Sequence, residues 1–141
     1  MRVRDALAAL MWLRAQPEVD PARIVLTGSG MGGLVALHAA IIDASVAGVV
    51  GWEGLSSFRS LLGAEHYPWP ADAFFPRALQ RYDLPDLAAA LACPVHLFGL
   101  RDGAGMPAGD DELTRYAAGN VVLQKDALQA DIVACVRALM A

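Results

Sequence analysis

Gly28-Ser29-Gly30-Met31-Gly32-Gly33 follows a short apolar run, Arg23–Thr27, and opens a wholly apolar stretch, Leu34–Ile42. Two patterns fit these six residues. In the frame G-x-S-x-G, a strand–turn–helix elbow that presents a nucleophilic serine, the positions run from Gly28 to Gly32 and the middle one holds Gly30. In the frame G-x-G-x-x-G, whose glycines let a backbone approach a dinucleotide pyrophosphate, Gly28, Gly30 and Gly33 match in full. The first frame describes a catalytic elbow without its serine. The second describes a cofactor site. The surrounding chain decides between them.

Working outward, four runs read as strands: Arg23–Thr27, Val46–Trp52, Val95–Leu100 and Val121–Gln124. Each is apolar almost throughout instead of alternating, as expected of strands covered on both faces. Helical segments lie between them. Val3, Leu7, Leu10 and Met11 fall on one stripe of a first helix, and Leu34–Ile42 is apolar on every side and so predicts a buried helix. Asp83 with Pro85 starts a helix over Asp86–Leu91 that Pro94 closes off. Asp110-Asp111-Glu112 offers a cap and an acidic first turn for a helix ended by Gly119-Asn120. Leu128, Ile132, Val136, Leu139 and Met140 form the stripe of a closing helix. Helix–strand alternation with short links predicts an α/β fold, a three-layer parallel sheet of about four strands with right-handed crossovers. The segment 53–92, rich in Pro and aromatics (His66-Tyr67-Pro68-Trp69-Pro70, Phe74-Phe75-Pro76), is too long for a plain crossover. It reads as a cap-like insertion within a single domain spanning 1–141.

Composition narrows the function classes. The chain has 141 residues, one domain's worth, and is 56% hydrophobic with a net charge of −4. Without a basic run it lacks the electrostatic footprint for nucleic acid. No apolar run reaches the roughly 18 residues needed to span a bilayer. The N-terminus imitates a signal peptide, but Asp5 interrupts it, Arg14 ends it and no cleavage site follows, so a packed helix is expected and no compartment is indicated. Cys93 and Cys135 lack metal-ligand spacing and read as buried free thiols; no metal site is expected.

For the dinucleotide frame, Glu53 ends the next strand twenty residues after Gly33, where a ribose-binding acid would sit. Against it, a helix and the turn Pro17-Glu18-Val19-Asp20-Pro21 precede the glycines, and the third strand is delayed by the insertion. Those features suit the elbow. Ala8-Ala9-Leu10-Met11-Trp12-Leu13, Pro17-Glu18-Val19-Asp20-Pro21-Ala22-Arg23-Ile24, the glycine-rich turn and Leu37-His38-Ala39-Ala40 resemble the α/β-hydrolase superfamily, in its acetylxylan-esterase and dienelactone-hydrolase-like branch. Trp52-Glu53-Gly54-Leu55-Ser56-Ser57-Phe58 and Tyr82-Asp83-Leu84-Pro85-Asp86-Leu87 resemble that branch's C-terminal half.

The resemblance implies carboxylic-ester substrates, acetylated sugars among them, and no cofactor. It also implies a serine, a histidine, a carboxylate and an oxyanion hole. The serine's place is Gly30, the carboxylate's is Asp102, and the segment Lys125–Gln129, where the histidine belongs, contains none. The expected protein is therefore esterase-like and catalytically impaired. Ser29 is a fallback nucleophile, though its side chain should leave the turn in another direction and bond to backbone. Glu53 is a fallback acid. His66 is the histidine free to lean over a pocket formed by Gly28, Gly30, Met31, Gly32, Trp52 and Glu53, whereas His38 and His96 read as core histidines with local partners. Asp102 without a histidine reads more readily as a loop-capping carboxylate. The alternatives are a non-enzymatic binding or scaffold domain and a dinucleotide site at Gly28, Gly30, Gly33 and Glu53.

A complete protein of the type it resembles begins with further strands and a loop that donates an oxyanion N–H. The chain thus reads as N-terminally incomplete. Its first strand should form an open apolar edge that pairs with a missing N-terminal half or with another copy.

Overall fold

A computed structural model describes residues 2–66 and 68–141; Met1 and Tyr67, quoted above in the N-terminal segment and the insertion, lie outside the described residues. Its centre is a parallel four-stranded sheet in the order β1 (Val25–Ser29), β2 (Gly48–Trp52), β3 (Val95–Phe98), β4 (Val121–Gln124). Helices α1 (Val3–Arg14), α2 (Met31–Ile42) and α3 (Leu84–Ala89) lie on one face, and α5 (Gln129–Leu139) packs on β1 and β2 from the other. A short α4 (Asp110–Leu113) precedes β4.

The strand register sorts the side chains. Val49 pairs with Val95 and Gly51 with Leu97, and these face α2; Val50 and Phe98, with Trp52 and Ile132, form a separate apolar cluster against α5. Burial on both faces is why β2 and β3 are continuously apolar.

Local chemistry moves several boundaries. β1 starts two residues later than expected because Asp20 accepts a hydrogen bond from the Ala22 amide, which holds Pro21–Arg23 in a 3₁₀ turn. β2 begins at Gly48 and not Val46, since the Val46 amide is still turned back onto the Asp43 carbonyl. β3 ends at Phe98, and Arg101 resumes pairing only through isolated bridges, parallel to Leu55 and antiparallel to Pro107. α2 begins at Met31, so the glycines Gly32 and Gly33 form its first turn; its far end emerges, leaving Ile42 65% exposed. On α1 the packed stripe runs through Leu7, Leu10 and Leu13, while Met11 is 73% exposed, a correction to the expected stripe that follows from α1 packing chiefly on α2.

α3 starts earlier than expected. Asp83 accepts from the Leu84 amide and Asp86 accepts from the Asp83 amide, a reciprocal capping box. The expected acidic cap at Asp110 is not made: Gly109 is the cap residue, and the helix tightens into a 3₁₀ turn at Thr114–Tyr116. At the closing helix, Ile132 is buried while Leu128, ahead of the first turn, is 60% exposed. Between β2 and α3 the described residues include three 3₁₀ turns, Arg59–Gly63, Ala71–Ala73 and Ala78–Gln80. No helix among the described residues is long and apolar enough to cross a membrane. Cys93 and Cys135 are free and half-buried, and burial pushes both thiols up.

Candidate functional site

The turn between β1 and α2 is a single residue. Gly30 has φ +51° and ψ −117°, a region that L side chains rarely adopt and that glycine enters without penalty. Its amide donates to the Trp52 carbonyl at 2.8 Å, which ties the turn to the end of β2. A Cβ built on Gly30 would meet nothing nearer than the Glu53 carbonyl oxygen at 3.9 Å. The position therefore has room for a side chain and carries none.

The flanking glycines serve a different end. A Cβ on Gly28 would lie 2.2 Å from the Gly32 carbonyl carbon, and Gly33 rests against Gly51, its would-be Cβ 3.6 Å from the Gly51 Cα. Glycine against glycine lets α2 lie directly on β1 and β2. The same contacts put the amides of Met31 and Gly32 at the end of the sheet, where they have no acceptor among the described residues.

Ser29 is the last residue of β1, exposed and in register with Trp52, so its side chain lies on the α5 face. It makes no hydrogen bond among the described residues, correcting the expectation of a backbone-bonded turn residue. The strand continues through Ser29 and leaves it no turn amide to bond.

Glu53 follows β2 at φ +50°, an uncommon conformation for a residue with a Cβ. Its carboxylate accepts from Arg101 Nη2 at 2.7 Å, and Arg101 Nη1 donates to the Gly105 carbonyl at 3.3 Å. Asp102 is turned into its own loop. Its Oδ1 accepts from the amides of Ala104 and Met106, both at 2.9 Å, and its carbonyl accepts from Trp69 Nε1 at 3.0 Å. The carboxylate placed after β3 thus holds a loop, and Trp69 of the insertion is fastened across that loop.

The histidines do not converge on the elbow. His38 Nδ1 lies 2.8 Å from the Leu34 carbonyl, so that nitrogen carries the proton, and Nε2 accepts from the Tyr82 hydroxyl at 2.8 Å. Its ring stacks on Phe75, and burial lowers its pKa. His96 sits mid-strand, where burial also lowers its pKa, and it makes no hydrogen bond among the described residues. His66 is exposed and likewise unbonded. The pocket residues are split between two faces: Met31 and Gly32 line a groove with Thr27 and Val35, whereas Trp52 and Glu53 line one with Ala127 and Ile132. No three His, Cys, Asp or Glu side chains among the described residues are grouped to hold a metal ion.

Sequence reasoning missed the support behind Glu53. Asp83, almost fully buried, accepts from the Phe58 amide at 2.7 Å, from the Leu84 amide at 2.8 Å and from Arg115 Nη2 at 2.8 Å. Tyr116 donates to the Ser56 carbonyl at 2.5 Å, and Ser57 donates to Glu112. Together these bonds pin the chain that leaves β2. The capping signal at Asp83 was legible, but its partner Arg115 lies 32 positions away.

Comparison with known proteins agrees with this geometry. A family model described as the dienelactone hydrolase family matches residues 1–76. An uncharacterized protein of Mycobacterium tuberculosis is 45% identical over 67 residues, covering 46% of this chain and 22% of the relative. Among solved structures, an acetyl xylan esterase from Paenibacillus sp. R4 superposes with a TM-score of 0.66 at 21% identity, over 97% of this chain and 51% of that one. A puromycin-hydrolyzing peptidase of Mycobacterium tuberculosis gives 0.61 at 26% identity, over 97% and 23%. The chain therefore spans about half of that esterase and less than a quarter of the other two proteins. With the family match covering more than half of its residues, on an α/β-hydrolase sheet, the chain belongs to the dienelactone hydrolase family.

Proposed function

We propose that this chain is an esterase-type domain of the family that is catalytically silent as it stands. The observation that carries this reading is Gly30: the residue at the positive-φ turn from β1 into α2 has no side chain to attack with. The histidines reinforce it. His38 is committed to Leu34 and Tyr82, His96 lies within β3, and Lys125–Gln129 holds no histidine. Acyl transfer by this fold needs a nucleophile and a base within hydrogen-bond reach, and neither is in place.

What the site retains is the α2 N-terminus with two free amides, set beside the Glu53–Arg101 pair. Such a site suits recognition of a carboxylic ester, an acetylated sugar among them, more than its cleavage. The names of the esterase and peptidase relatives, both hydrolases, support an acyl group as the ligand chemistry. The dinucleotide reading has against it that Glu53 is already engaged by Arg101.

The test is hydrolysis of p-nitrophenyl acetate together with labelling by a fluorophosphonate. Neither should exceed the buffer blank. Stoichiometric labelling mapped to Ser29 would overturn the proposal, and quenching of tryptophan fluorescence by micromolar NADH would favour the cofactor site instead.

A further inference from the structure

His38, buried on α2, is the point at which the helical layer grips the insertion. Its Nε2 accepts from the Tyr82 hydroxyl at 2.8 Å, its ring stacks on Phe75 with centroids 5.3 Å apart, and it meets the Tyr82 ring edge-on at 5.8 Å. Phe58 closes the cluster against both Phe75 and Tyr82. The backbone bonds of residues 75–82 turn back on the segment itself: the Ala78 amide donates to the Phe75 carbonyl, Gln80 to Arg77, and both Arg81 and Tyr82 to Ala78. Among the described residues, the Tyr82–His38 bond is the one hydrogen bond that ties this segment to the rest of the protein.

The arrangement requires a neutral imidazole. Nδ1 donates to the Leu34 carbonyl, so Nε2 accepts only while it carries no proton. Once Nε2 is protonated, the Tyr82 hydroxyl must turn to accept, and its own hydrogen loses the acceptor it had. No carboxylate offsets the new charge. Burial lowers the His38 pKa, the Leu34 carbonyl raises it by less, and no charged group acts on it. On the insertion, Arg59, Arg77 and Arg81 are exposed. At the start of α3, Asp83 is taken up by the Phe58 and Leu84 amides and by Arg115, and Asp86 by the Asp83 amide. Arg14 of α1 pairs with Asp43 at the end of α2. Tyr82 is the titratable group that faces the ring, and burial raises its pKa, so it stays a neutral hydroxyl while histidine titrates.

We propose that His38 and Tyr82 form an acid-released latch that holds residues 75–82 of the insertion onto α2. At neutral pH and above, the imidazole is uncharged and the latch is closed. A proton binds less readily to the latched ring than to a released one, whose pKa is the ordinary 6.5. Acid therefore drives release over the range between that value and the lowered one. The rings involved do two jobs: Phe58 and Phe75 also wall a groove of about 450 Å³ with Leu61, Phe74 and Arg77. Release reshapes that groove while the sheet beneath stays folded. This inference uses contacts within the chain and does not depend on the chemistry at Gly30.

The test is an NMR titration of the wild-type chain from about pH 8 to about pH 5, following the His38 imidazole and backbone amide exchange corrected for its intrinsic pH dependence. Protection of the Ala78, Arg81 and Tyr82 amides should fall by up to about tenfold per pH unit below about 6.5 and level off beyond the His38 midpoint, while that of Val49 in β2 and Leu97 in β3 holds. His38→Phe, which keeps a ring on Phe75 and takes up no proton, should abolish the fall. Tyr82→Phe, which removes the donor to the neutral ring, should bring the His38 midpoint closer to its ordinary value and shrink the fall. The wild-type titration decides on its own if a variant fails to fold. Protection at the three amides that ignores pH, a His38 midpoint at or above the ordinary value, the same fall in His38→Phe, or protection lost at Val49 and Leu97 in step with the segment would each overturn the proposal.

Discussion

Gly30 and Glu53 sit at the ends of adjacent strands with nearly the same backbone anomaly, φ +51° and φ +50°, and the Glu53 carbonyl oxygen lies 3.9 Å from the place of a Cβ on Gly30. Glycine tolerates that conformation freely. For glutamate it costs about 1–3 kcal/mol, which the surrounding bonds must hold in place. The Glu53 amide donates to the Phe98 carbonyl at 2.8 Å, its carboxylate is clamped by Arg101, and Arg115–Asp83 pins the loop beyond. Of the two positive-φ residues at this sheet end, one carries a side chain and the other is glycine.

Restoring that side chain should not restore chemistry. Gly30→Ser meets open space but must adopt positive φ, so it should lower unfolding free energy by about 1–3 kcal/mol, read from the urea midpoint. Fluorophosphonate labelling should stay at the wild-type level because no histidine stands ready as base. Labelling and turnover in Gly30→Ser would reveal a base that the wild-type geometry does not supply.

Strain at Glu53 is testable by its removal. Glu53→Gly relieves the backbone cost, loses an ion pair whose side chains are 39% and 45% exposed and thus worth ~0–1 kcal/mol, and adds about 0.4–1 kcal/mol of unfolded-state entropy. At the middle of these ranges the balance is a gain of about 1 kcal/mol. A loss of more than about 1 kcal/mol in chemical denaturation, outside what any strain in that range allows, would mean that the conformation at Glu53 is unstrained.

Two glycines four positions apart in the motif, Gly28 and Gly32, should respond oppositely to alanine. A Cβ at Gly28 lies 2.2 Å from backbone of α2, contact that no side-chain adjustment relieves, so Gly28→Ala should cost more than about 3 kcal/mol or prevent folding. Gly32 has nothing within 4 Å of its Cβ position and lies in the first turn of α2, so Gly32→Ala should be neutral or stabilising by up to about 1 kcal/mol. Thermal melts of the pair decide it.

Local signals explain what could be read in advance. β4 was legible at its full extent, Val121–Gln124, because a short apolar run between turn residues has few other solutions. The strand–turn–helix at Gly30 was legible because glycines at Gly28 and Gly33 satisfy a close approach set within a few residues. The Glu53–Arg101 and Asp83–Arg115 pairs were not, since their partners are 48 and 32 positions apart and any of several arginines could have served. Asp102 could be placed after β3, but which way its carboxylate turns depends on amides of its own loop that pattern alone does not orient.

The helical layer carries a pH signature of its own. Both guanidinium nitrogens of Arg14 at the end of α1 meet the carboxylate of Asp43 at the end of α2, one at 3.1 Å. Those bonds, seconded by the Ser45 hydroxyl, hold the Asp43 carboxyl at about 2, below its ordinary 3.8. Because the folded state binds this proton less readily than the unfolded chain, the contribution is complete above about pH 4 and is lost as pH falls toward 2. Solvent reaches the pair, with side chains 24% and 19% exposed, so its worth is about 1 kcal/mol. Asp43→Asn should be less stable than wild type by that amount at pH 7, with the gap closing as the pH approaches 2. His38, whose pKa burial lowers, adds its own loss of stability on acidification below about 6.5, in wild type and variant alike, and cancels in the difference. Urea midpoints of both proteins between pH 7 and the lowest pH at which they remain folded give the answer, and a gap that does not narrow with acid would show that Arg14 and Asp43 act through packing alone.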